Sequence, residues 1–196
     1  MQKALIPLIA GFAVAFAINF MMSLATSAAG EKDDNTGLFV AIAAGALTSL
    51  VVFNLSGNRR TAPADPTAKQ RALAFAAEPG KAALYLMRTG FVGKMAGMNL
   101  ALDGREVAQL KSPRFTRLDI APGAHTLTAS FGGGLSGQTK PSSLAFEAGA
   151  GDIVVIKLGL DMGLVRNGVR VERVALDGVR ADLTNMAMTA PDVTSL

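Results

Sequence analysis

The chain has 196 residues, with no cysteine, no tryptophan and a single histidine. Without thiols there is no disulfide framework, no thiolate metal site and no cysteine nucleophile, and the redox compartment stays open. A Ser-His pair or a histidine-rich metal centre would have to be built on His125 alone. Charge is also scarce, at 17% of residues, and aromatics make up 6%. The net charge is only +4 and the basic residues are scattered. That excludes a nucleic-acid footprint, so no nucleic-acid partner is expected.

His125 lies in "LDIAPGAHTLTAS", beside the turn-forming pair Pro122-Gly123. Strand alternation puts the adjacent Thr126 on the opposite face, and no serine in a glycine elbow accompanies the histidine. A structural histidine bonded near its turn is the expectation. "FGGGLSG" (131–137) lacks the Gly-Lys-Ser/Thr of a phosphate loop and reads as a flexible connection. No catalytic residue, metal ligand or cofactor site is assigned, and the chain is expected not to be an enzyme.

Apolar sequence is plentiful. Residues 4–30 and 35–58 carry no charge, and each contains the roughly 20 apolar residues that a helix needs to cross a bilayer. They predict a transmembrane α-helical hairpin over 1–57, with helices at about 4–29 and 36–56 joined through Glu31, Lys32, Asp33 and Asp34. Pro7 falls in the first turn, where its missing N–H costs little. The first segment also has the small residues of a signal-peptide cleavage site, but its apolar run is long for one, so a retained helix is expected. Gly37, Ala41, Gly45 and Ser49 recur at spacing four, as do Gly11, Ala15 and Asn19. Such stripes let helix backbones approach closely in lipid. They predict packing of the two helices on each other, with docking onto a larger membrane complex or a homo-oligomer as the sharper reading. Asn19, polar at membrane depth, is expected to bond to a neighbouring helix or to backbone. With no ionisable residue inside either span, no ion pathway is indicated.

Arg59, Arg60, Lys69 and Arg71 follow the second span, whereas Lys32 alone precedes it among acids. The positive-inside rule then places the C-terminal region in the cytoplasm, the protein being multi-pass. Residues 58–80 read as a linker with a short helix in "TAKQRALAFAAEPG", stopped by Pro79-Gly80. That helix either turns Lys69 and Arg71 towards anionic headgroups or simply leads into the domain.

From Lys81 to about residue 176, short apolar runs alternate with Gly, Pro and Asp-Gly turns. This pattern predicts a small antiparallel all-β sandwich. "GMNLALDGREVAQL" (97–110) is a hairpin around Asp103-Gly104. "TGFVGKMAGM" (89–98) sets Phe91, Val92, Lys94 and Met95 among glycines. Exposed, they would form an adhesive loop against the membrane or a partner; a buried, bulged strand is the expectation. Residues 177–196 predict a short C-terminal helix capped by Asp177, then a loosely ordered tail.

The pieces "ALYLMR", "GFVGKMAGMNLALDG", "RFTRLDIAPGAHTLTAS" and "LAFEAGAGDIVVIKL" span about residues 81–160. Together they resemble an uncharacterised bacterial β-sandwich family similar to the PEGA and carboxypeptidase-regulatory-like domains. Tyr85, Arg88, Asp103, Gly104, Pro122, Gly123 and His125 fall on its pattern. The resemblance implies a fold and brings no activity. The expectation is therefore a bacterial inner-membrane accessory or scaffold protein that binds the bilayer and a partner protein or complex. The alternative is an envelope-facing binding module, with the first segment cleaved.

Overall fold

The structure is a computed structural model describing residues 2–29, 36–161 and 167–193. The connector Glu31–Asp34 lies outside the described residues. The chain divides into two compact units at Ser56/Gly57.

The first unit is a pair of helices, α1 (Gln2–Ala29) and α2 (Thr36–Leu55). Both are long and apolar enough to cross a membrane, over Ile6–Thr26 and Gly37–Leu55. The two small-residue stripes meet. A Cβ on Gly45 would lie 2.6 Å from the Gly11 carbonyl oxygen and 2.7 Å from Ala15 Cβ, and one on Gly11 would collide with the Ser49 side chain. Ala41 is buried in the same contact. Large apolar side chains, among them Phe12, Phe16, Phe39 and Leu47, point outward. Asn19 is half-buried and, contrary to the expected bond, has no hydrogen-bond partner among the described residues.

The second unit is built on two sheets. The six-stranded one has the order β10-β4-β1-β8-β9-β6. Its strands are β1 (Ala82–Arg88), β4 (Arg114–Ile120), β6 (Thr139–Lys140), β8 (Ile153–Asp161), β9 (Asn167–Val174) and β10 (Ala187–Met188). The four-stranded sheet, β3-β2-β5-β7, comprises β2 (Met98–Leu102), β3 (Arg105–Leu110), β5 (Gly123–Phe131) and β7 (Ser142–Ala148). At the hairpin between β2 and β3, Asp103 (φ 51°) and Gly104 (φ 81°) are both left-handed, as a type I′ turn requires.

The expected all-antiparallel sandwich is corrected on two counts. First, β1 runs parallel to β8, β6 to β9 and β10 to β4, so the larger sheet is mixed. Second, that sheet is covered on both faces. All seven residues of β1 are buried. Ala82, Leu84, Leu86 and Arg88 share the face towards the four-stranded sheet, where Arg88 reaches the Leu110 carbonyl and the Phe131 ring. Ala83, Tyr85 and Met87 face a separate core with Phe115, Val155, Ala72 of helix α3 (Pro66–Leu73) and Leu183 of helix α4 (Arg180–Asn185). Tyr85 closes this core by donating its hydroxyl to the Ala72 carbonyl at 2.5 Å. Burial, the largest cause, pushes the Tyr85 pKa up.

Four further expectations give way. Helix α3 stops at Leu73 rather than near Pro79, because Phe75 turns left-handed (φ 49°) and packs its ring, tilted, 5.6 Å from that of Tyr85. Asp65 caps its start by accepting from Thr67 N–H, with Pro66 in the first turn. Residues 132–140 fold as a 3₁₀ turn and β6. Asp177 lies in a separate 3₁₀ turn and does not cap α4. The tail is docked as far as Asp192: Thr189 N–H donates to Phe115, Ala190 N–H to Ala62 and Asp192 N–H to Val107.

Candidate functional site

Among the described residues of the second unit, the exposed large apolar side chains gather in the turn between β1 and β2, and Arg88 organises it. Arg88 is the last residue of β1 and is 1% exposed. Its Nη1 donates to the carbonyls of Ala96 (2.5 Å) and Leu110 (2.7 Å), and its Nη2 to that of Gly93 (2.8 Å). The guanidinium also stacks 5.0 Å from the Phe131 ring centroid. Burial lowers its pKa to about 10, so it stays charged at neutral pH.

Other bonds complete the frame. Ser112 donates its N–H to the Lys94 carbonyl (3.2 Å) and its hydroxyl to that of Gly90 (2.7 Å). Asn58 clamps the far side, donating Nδ2 to the Met95 carbonyl (2.9 Å) and accepting from Gly97 N–H (2.6 Å). Gly93 sits at φ 64° against Leu160, a place where a larger residue would be strained. With its carbonyls drawn inward, the turn directs its side chains outward. Phe91 is 79% exposed, Met95 59% and Val92 43%, and Lys94 Nζ lies 4.7 Å from the Phe91 ring centroid. The buried, bulged strand expected here is therefore not what forms. Arg88 takes the inward position that the apolar residues would have filled.

The stretch read as a linker belongs to the second unit. Gln109, fully buried in β3, donates to the Gly57 carbonyl (2.9 Å) and to Asn99 Oδ1 (2.6 Å), and accepts from Arg59 N–H (2.7 Å). The Arg59 guanidinium bridges Glu106 and Asp192, each at 3.1 Å. Arg60 is exposed, and Lys69 and Arg71 lie on α3.

His125 is far from that turn in sequence and is tied to Asp103. Its Nδ1 is 2.7 Å from Asp103 Oδ2 and its Nε2 is 2.8 Å from the Ala121 carbonyl, while Asp103 Oδ1 accepts from Thr126 N–H (2.8 Å). Two acceptors on one imidazole suit the doubly protonated ring. Burial lowers the His125 pKa, but the Asp103 bond, the Ala121 bond and the Asp103 charge outweigh it and leave it raised. For Asp103 burial pulls upward, and the bonds to His125 and Thr126 leave it lowered. Pro122 and Gly123 are exposed at the start of β5, Gly123 at φ 144°.

A groove of about 390 Å³ is lined by Arg71, Glu78, Lys81, Arg117 and Asp119, among others. Sequence reasoning missed it, because its residues come from α3, the connection between α3 and β1, β4, β10 and the tail. The Arg117 guanidinium is engaged by both Asp119 oxygens (2.7 and 3.0 Å) and the Ala76 carbonyl. Among the described residues, no group of three His, Asp or Glu could hold a metal ion. Comparison with protein-family models and with curated proteins finds no match to this chain.

Proposed function

We propose that this chain is a non-enzymatic, multi-pass accessory or scaffold protein of a bacterial inner membrane. Its hairpin and β domain hold a partner protein, a larger membrane complex or a second copy of the chain. The observation that carries this reading is the junction after α2. Helix α2 ends at Leu55, and Gly57, Asn58 and Arg59 are already hydrogen-bonded to Gln109, Met95 and Gly97. Between them lies only Ser56, whose N–H and hydroxyl both donate to the Phe53 carbonyl. A domain with so short a tether stays at the bilayer surface, which suits a fixed binding surface better than a catalyst that must reach for substrates. In this reading Pro122, Gly123 and His125 serve the fold.

Purification of the full chain from native membranes in mild detergent tests this. A stoichiometric partner or a defined homo-oligomer is expected. Recovery as a lone monomer under several detergents overturns it.

A further inference from the structure

We propose that the turn Phe91–Met95 is a membrane-dipping anchor, seating Phe91, Val92 and Met95 at the headgroup–acyl boundary with Lys94 among the lipid phosphates. The proposal rests on the reading of α2 as a membrane span. Three peptide steps separate Leu55, the end of that span, from Asn58, a reach of at most about 11 Å. The Asn58 side chain holds the turn through the Met95 carbonyl and the Gly97 N–H. The Met95 end of the turn is thus tied through a few residues of chain to the end of α2, where the reading of α2 as a span puts the interfacial layer.

Its chemistry fits that layer. Three outward apolar side chains fall within five residues, and the cation among them lies beside an aromatic ring. Interfacial segments pair apolar insertion with a basic group that snorkels to the phosphates. The turn is also pre-organised. Arg88, Ser112 and Asn58 fix its backbone without using the outward side chains, so little ordering cost remains on insertion. The occupant proposed is lipid, which the reading of α2 as a span supplies at the end of the same short connection; a protein partner is the alternative outcome of the test.

The lack of cysteine allows single-site labelling of the full-length protein in nanodiscs of phosphatidylcholine and phosphatidylglycerol. Three variants carry an environment-sensitive fluorophore: Met95→Cys, Ala150→Cys in the exposed turn between β7 and β8, and Leu47→Cys on the outer face of α2. The Met95 probe is expected to emit at shorter wavelength than the Ala150 probe. It should be quenched by shallow spin-labelled lipid and protected from iodide, while the Leu47 probe is quenched by deep spin-labelled lipid. Adding Phe91→Ser and Lys94→Glu to Met95→Cys should return that probe to water-like emission, and the domain should stay folded because both side chains are exposed. A Met95 probe that behaves like Ala150, with Leu47 still in lipid, overturns the anchor and leaves the span intact. A Leu47 probe accessible to iodide overturns both. Shielding at Met95 in native membranes but not in nanodiscs overturns the anchor in favour of a protein partner.

Discussion

Arg88 is a buried cation with no carboxylate partner among the described residues, and its charge is spread over three carbonyls and an aromatic ring. Breaking such a set costs more than the lost bonds, because the carbonyls of Gly93, Ala96 and Leu110 are left facing an apolar side chain. Arg88→Met, similar in length, is expected to destabilise the domain by about 3–5 kcal/mol. Urea unfolding of the full chain in detergent would read this, and a change below about 1 kcal/mol would show that the carbonyls find other partners. His125 and Asp103 make a second residue-level prediction. The raised His125 pKa stabilises fully below its unfolded value of about 6.5, and that contribution is lost as pH climbs through the folded value. The lowered Asp103 pKa stabilises above about 3.9, and that contribution is lost as pH falls through the folded value. The pair should therefore support the fold best between about pH 4 and 6.5. Titration of the sole histidine by NMR should give a midpoint above that of a model peptide, and Asp103→Asn should lower it. A wild-type midpoint below the peptide value would sink the assignment.

At the scale of elements, local chemistry carried much of the outline. Asp103-Gly104 announced a type I′ hairpin, and the runs from "AALYLMR" to "NGVRVERV" read as the strands that form. Pairing did not follow from those runs. β1 and β8 meet in parallel across an intervening chain that builds the whole second sheet, and nothing local encodes that contact. One clue was present. "AALYL" and "IVVI" lack the alternation of a strand with one wet face, which is the signature of burial on both sides. The two short helices that cover the second face were expected, one within 58–80 and one after residue 177. That they pack on β1 was not, because Leu183 of α4 and Tyr85 are far apart in sequence. The turn at Phe91–Met95 was harder still to read, because its direction depends on Arg88 bonding carbonyls five to 22 residues away. In the hairpin the spacing of small residues was informative, since Gly11 and Gly45 touch backbone to backbone. Gly45→Val should force the helices apart at a cost of about 1–3 kcal/mol. The helix–helix proximity read by cross-linking cysteines placed on α1 and α2 should fall. Cross-linking at the level of the native pair would mean that the contact is dispensable.

For the whole molecule, the decisive quantity is which side of the bilayer receives the β domain. In the folded domain Arg59 is spent on Glu106 and Asp192. Orientation, however, is set while the chain is inserted, before those ion pairs exist, so Arg59 counts with Arg60, Lys69 and Arg71. The proposal that the C-terminal side lies in the cytoplasm rests on four basic residues after α2 against Lys32 before it. Ala150→Cys, exposed and distant in sequence from the junction, gives a direct reading. In cells with a permeabilised outer membrane, a membrane-impermeant maleimide should leave it unlabelled until the inner membrane is opened. Changing Arg59 and Arg60 to Gln halves the flanking charge and should make part of the population reactive from outside, whereas Lys69→Gln, farther from the span, should matter less. Full labelling of the Ala150→Cys protein in closed cells would instead put the β domain in the envelope. Partner binding would then have to be sought there, with the same junction and the same turn pressed against the opposite leaflet.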